Sequence, residues 1–212
     1  MKTDDLIRAL AQDAATREPA VGARLLGAVV VGAAAAGVIY ALTLGPRPDL
    51  ASAAQTWRFP FKVAVSLMLF ACAFGASLQL ARPNRCFRET VVTLALAPVL
   101  LALGVAYELA TAPAADWYAR AVGTNARLCL VAIPALSFAS LIAALFALRA
   151  GAPRSPAAAG AVAGLLAGGL GAALYATHCP DDSPLFVAIW YSLAIALLVL
   201  AGAGAGRRLL KW

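Results

Sequence analysis

The sequence has little to build an enzyme from. It has one histidine, His178, and only 10 acidic residues in 212. A hydrolytic site needs a nucleophile beside a base, and the lone histidine has no convincing nucleophile next to it. There is no CxxC pair, so the motif a membrane thiol oxidoreductase would present is missing. The apolar segments lack the polar stripes a water-soluble helical bundle would show. Neither a Pro/Ser-rich linker nor a repeat of fixed period divides the chain. The composition therefore predicts one compact non-enzymatic domain.

What the chain has in excess is hydrocarbon. It is 63% apolar, against about 45–50% for a soluble domain. The excess lies in six runs, 23–44, 59–81, 90–110, 126–148, 157–177 and 185–205. Each reaches the ~20 residues of helix needed to cross a ~30 Å hydrocarbon core. The predicted fold is an all-α integral membrane protein with six transmembrane helices. A cytoplasmic N-terminal arm occupies 1–22, the membrane domain 23–206, and a basic cytoplasmic tail 207–212. The arm is polar and the first run is too long for a signal-peptide core, so no cleavable signal peptide is expected.

The net charge of +7 could point to nucleic acid, but its distribution argues otherwise. With the amino terminus inside, only Arg47, Arg58, Lys62, Arg120 and Arg127 of the 17 basic residues face outward. The positive-inside rule then puts both termini in the cytoplasm. The basic excess reads as a topology signal and a contact with anionic lipid, with no direct nucleic-acid partner.

Topology also sorts the cysteines. Cys72 lies mid-span, where a lone thiol is a small apolar filler. Cys86 lies in an inner, arginine-rich loop and reads as an ordinary reduced thiol. Cys129, in the first turn of span four, and Cys179, just after span five, fall at the same outer boundary. The short inner loop between those spans makes them neighbours. A structural disulfide, a metal site and a dithiol redox sensor all fit this pair. With His178 as a third ligand, soft sulfur and imidazole suit Cu(I), Zn(II) or Cd(II).

Beside them, Ser183 and Pro184 read as the cap and first residue of span six. Asp181 and Asp182 then lie near the positive end of that helix, where carboxylates are favoured without any ligand. They are secondary candidates for the sensing site. So is Glu108, a carboxylate one turn from the outer end of span three, for which snorkelling to the interface is the competing account. Tyr107, Tyr175, Trp117, Tyr118, Trp190 and Tyr191 read mostly as interfacial aromatics. Gly160, Gly164 and Gly168 recur every four residues and predict close helix packing, with Gly27, Ala33, Gly37, Gly202 and Gly206 in similar roles.

In the arm, Thr3 can cap a helix with Asp4 and Asp5 in its first turn. Leu6, Ile7 and Leu10 share one face of that helix. Its balanced charge suits a protein groove better than a lipid surface, which makes these three the candidate partner-binding anchors.

The opening MKTDDLIRALAQDA, the six spans and the closing LYATHCPDDSPLFVAIWYSLAIALLVLAGAGAGRRLLKW resemble the NrsF family. These are bacterial inner-membrane anti-sigma factors, negative regulators of a sigma factor of the extracytoplasmic-function class. The resemblance covers the chain end to end. It implies a sigma factor held on the cytoplasmic side and a response to heavy-metal stress through two cysteines, which map onto Cys129 and Cys179. The implied signal is a thiophilic ion such as copper, cadmium or zinc, or an oxidant, with no permanent cofactor. The rival readings are a small-molecule or metal-ion transporter or channel, and a membrane thiol oxidoreductase. Pro98 and Pro134 could kink spans three and four as a transporter requires, but no charged residue lies at mid-membrane.

Overall fold

The computed structural model describes Thr3 and residues 21–80, 87–151 and 153–210. Leu6, Ile7 and Leu10 of the arm, and Cys86, lie outside the described residues. Within them the chain is helical, with no strand. Six helices are long and apolar enough to cross a membrane. They are α1 Val21–Thr43, α2 Arg58–Leu80, α3 Phe87–Thr111, α4 Ala126–Leu148, α5 Pro156–Ala176 and α6 Pro184–Leu209. Two short helices, Leu50–Ala53 and Trp117–Val122, ride on the connections after α1 and α3.

The helix starts follow from local chemistry. Ser155 accepts a hydrogen bond from Ala158 N at the head of α5, with Pro156 in the first turn. Ser183 accepts from Leu185 N ahead of α6, with Pro184 in the same role. Proline lacks an N–H that would be unsatisfied there anyway. Pro98 and Pro134 lie inside α3 and α4. The first turns of α6 are irregular, with a π-helical stretch at Val187–Tyr191.

The outward surface is greasy. Leu42 is 81% exposed, and Val31, Leu103, Val131 and Leu200 also point outward. Such an exterior is costly in water and natural against lipid tails. The interior is built around α5, which packs on α6, α2 and α4, while α1 leans on α4 and α2 on α3. Bundles of this kind gain nothing from burying hydrocarbon against hydrocarbon, so close backbone approach must hold them. A Cβ on Gly160 would strike the carbonyl oxygen of Gly202, and one on Gly164 the carbonyl of Leu198. On the far faces of α5, Gly169 abuts Phe70 of α2 and Gly171 abuts Ser137 of α4. Gly206 meets Pro156 O in the same way. In α1 the sequence reading misplaces the contact. Gly27 and Gly37 have open space beside them, and it is Gly32 that fits against Ser140.

Helix order puts the connections after α1, α3 and α5 at one end of the bundle. Hydrogen bonds join them there, Arg47 N to Thr177 O at 3.1 Å and Asn125 N to Asp181 Oδ2 at 2.8 Å. The start of α1 and the end of α6 lie at the opposite end.

Candidate functional site

The turn 177–183, between α5 and α6, is the hub of the first end. Its most buried anchor is a cation. Lys62, in the second turn of α2, is fully buried and donates to Asp182 Oδ1 at 2.6 Å and to Cys179 O at 2.8 Å, with Asp181 O further away at 3.4 Å. These three acceptors match the three donors of an ammonium, and a buried charge requires such pairing. Asp182 shares its second oxygen with Arg47, at 2.8 Å, and Arg47 also holds Asp49. The two carboxylates keep the Arg47 guanidinium firmly protonated, with the Asp49 hydrogen bond the larger cause. The same bond holds the Asp49 carboxyl below its usual range.

Asp181 works differently from the sequence expectation. It does not serve the start of α6, which Ser183 caps. Its carboxylate instead accepts from Thr124 N and Asn125 N, at 3.1 and 2.8 Å, and so caps α4 from across the bundle. Free N–H groups at a helix start are where a carboxylate is most stabilised. Glu108 is likewise a structural anchor. It is fully buried and takes Arg58 Nε at 2.9 Å and Arg120 Nη1 at 2.7 Å, tying the start of α2 and the 112–125 connection to α3. Neither oxygen snorkels to the surface.

The Asp181 cap places the two cysteines at the same end of the bundle. Cys129 lies one turn beyond Asn125, whose carbonyl receives the Cys129 N–H at 2.9 Å. Cys179 lies two residues before Asp181, and its Sγ is 3.9 Å from Asp181 O. Both thiols are wholly buried in one core cluster and lie within electrostatic reach of each other. Both are free, as is Cys72. Burial pushes the Cys179 thiol up from its usual value, and the nearby Lys62 charge pulls it back only in part.

His178 does not complete a three-ligand set. Its ring turns to the connection after α1, where Nδ1 donates to Gly45 O at 2.9 Å. Among the described residues, no three His, Cys, Asp or Glu side chains are grouped to share an ion.

Two side chains that the sequence reading left at the membrane interface belong here instead. Tyr175 and Tyr191 are buried with their rings 5.8 Å apart, in the same core cluster as Cys179. Neither hydroxyl has a hydrogen-bond partner among the described residues. Tyr175 lies one turn before Cys179, a spacing that puts both on one side of the helix end. The π-helical stretch of α6 ends at Tyr191. Tyr191 also lines one wall of an apolar cleft of about 520 Å³ between α2, α3, α5 and α6. Of the other aromatics, Tyr107 and Tyr118 are exposed and Trp190 donates to Ala121 O at 3.0 Å.

Comparison with known proteins turns this geometry into a family assignment. No solved structure matches the chain. The family model NrsF, described as negative regulator of sigma F, matches residues 10–212. A protein of Caulobacter vibrioides (strain NA1000 / CB15N), named anti-sigma-F factor NrsF, is 36% identical over 214 residues and all of both chains. One from Azospira oryzae (strain ATCC BAA-33 / DSM 13638 / PS), named probable anti-sigma-F factor NrsF, is 33% identical over the same full extent. The six-helix chain thus belongs to the NrsF family of negative regulators of sigma F.

Proposed function

We propose that the protein is a multi-pass anti-sigma factor of the bacterial inner membrane, with both termini cytoplasmic. It holds a sigma factor of the extracytoplasmic-function class and releases it when Cys129 and Cys179 bind a thiophilic ion or are oxidised. The observation that carries this reading is two buried free thiols at one end of the bundle, with the start of α1 and the end of α6 at the other. The bias of Lys and Arg toward the chain-terminal end supports an inward placement of the termini. In the resting state the arm, through Leu6, Ile7 and Leu10, grips the sigma factor together with the inner connections.

The signal passes along α5 and α6. Cys179 sits at their junction, Tyr191 closes the π-helical stretch, and Gly160, Gly202 and Gly206 lock the two helices further down. Packed backbones shift as rigid units rather than deform, so a repacked turn at one end displaces the other. Linkage sets the scale. If the ion weakens sigma binding tenfold, sigma weakens ion binding tenfold, about 1.4 kcal/mol. A switch from mostly held to mostly free needs about 5 kcal/mol of differential binding, within reach of two metal–sulfur bonds.

The test is a sigma-dependent reporter in cells challenged with metal. Cys129→Ser and Cys179→Ser should abolish induction while keeping repression in the unstressed state. Unchanged induction would remove these thiols as the sensor. Deleting residues 2–15 should give constitutive reporter activity, and persisting repression would exclude the arm as the main grip.

A further inference from the structure

We infer that the apolar cleft between α2, α3, α5 and α6 is a binding site for one anionic phospholipid, with an acyl chain in the cleft and the phosphate on Arg207.

The cleft lies where two helices part. α3 meets α6 at its first turns, 184–191, and makes little contact with it further down. The opening faces the exterior of the bundle. Pro98 of α3 forms one lip and Ser192, Ala196 and Leu200 of α6 the other, all of them exposed. Val65, Ala97, Val187, Tyr191 and Ile195 close the back, all of them buried. Water does not suit this space. A buried water needs about two to four polar partners, and the lining offers three hydroxyls, of which Ser66 is already bonded to Lys62 O. Hydrocarbon does suit it, because apolar walls gain dispersion contacts only from atoms that touch them.

Shape narrows the occupant. The lining runs along α6 from Val187 to Leu200, which at 1.5 Å per residue is roughly 20 Å. Spread over that length, 520 Å³ leaves a slot only about 5 Å across, room for a single file of carbons that pack at about 4 Å. A helix of a second copy is about 10 Å across and too wide to enter. One straight acyl chain, lying parallel to the bundle axis, matches both dimensions.

Charge places the headgroup. Ala196, Leu200, Ala203 and Arg207 follow one another at helical spacing, so they share one stripe of α6. Arg207 therefore stands about 10 Å beyond Leu200, past the end of the slot. It is exposed and has no ion-pair partner among the described residues. Ala203 is small, and beside its neighbour Gly204 there is open space, so the path from Arg207 to the slot is clear. A guanidinium at this depth is a ready phosphate partner. The lipid belongs to the leaflet that bathes the end of α6. Its chain ends against Val187 and Tyr191, in the π-helical stretch, a kind of irregularity that recurs at functional sites. The chain supplies the contact that α3 and α6 do not make directly.

The test uses the full-length protein purified in mild detergent. Native mass spectrometry should show one phospholipid retained per chain. Phospholipid carrying a diazirine in its acyl chain should label 94–101 and 192–200 above the rest of the exterior. Stripping lipid should lower the melting temperature, and phosphatidylglycerol should restore it. Phosphatidylglycerol should bind about fivefold more tightly than phosphatidylcholine, a preference that Arg207→Gln removes. Ala196→Trp fills the slot from its lip. It should abolish lipid retention and leave a melting temperature that no longer responds to added lipid. Ser192→Phe, on the same lip, serves the same purpose if Ala196→Trp does not fold. Labelling spread evenly over the exterior, or lipid retention unchanged in the filled variant, would overturn the assignment. So would a disulfide between two copies of Ala196→Cys in membranes, which would give this face to a second copy.

Discussion

At one end of the bundle three connections are tied by charge, Lys62 and Arg47 to Asp182, Arg58 and Arg120 to Glu108, and Asp181 to the start of α4. Toward the other, α5 and α6 meet backbone to backbone at Gly160, Gly202 and Gly206 with no side chain between them. The first kind of contact is directional and can be rearranged by a new ligand. The second is steric, all-or-none, and transmits displacement. A protein that must register a chemical event at one face and alter a protein contact at the other needs both kinds, in that order.

The contrast can be broken from either side. The largest effect is expected at Lys62. Lys62→Met removes the donor to Asp182 Oδ1 and to the Cys179 and Asp181 carbonyls, leaving Asp182 to Arg47 alone, and should cost about 3 kcal/mol, read as a lower melting temperature in thermal unfolding of the detergent-solubilised chain. Gly160→Val attacks the steric end. Its side chain would occupy the space of the Gly202 carbonyl, at about 1–3 kcal/mol. Its signature is constitutive sigma release with the ion-paired end intact, seen as reporter activity without metal. Asp181→Asn keeps the shape of the cross-bundle cap but weakens it, by about 1 kcal/mol. It should lower the melting temperature slightly and loosen the register of Cys129 against Cys179. Least affected is thiol reactivity in the resting protein. Because burial raises the Cys179 thiol, little thiolate exists near neutral pH. Iodoacetamide should label Cys179 more slowly than a free cysteine, with the rate rising as pH climbs above the usual thiol range.

Much of this was legible in the residues alone. The six helices lie within four residues of the expected spans at every boundary, because unbroken apolar length leaves helices few other options. Ser183–Pro184 and the four-residue glycine spacing on α5 also act as read, since caps and small-residue faces are local signals. That Cys129 and Cys179 lie at the same end of the bundle followed from counting crossings. What the sequence hid depends on direction. Tyr175 and Tyr191 near span ends look interfacial, and only the rotation of α5 and α6 turns them inward. Asp181 lies close to α6 in sequence but serves α4 in space. Lys62 could have been flagged, as a lysine inside an apolar run needs a buried partner. Its partner, Asp182, lies 120 residues away.

The central claim is that the thiol end governs the grip at the other end. It is tested most directly by co-purifying the sigma factor with the full-length protein from membranes, with and without Ag(I). The sigma factor should stay bound without Ag(I) and dissociate with it from the wild type, and stay bound in both conditions to Cys129→Ser and Cys179→Ser. Ag(I)-induced dissociation that persists in both serine variants would contradict it.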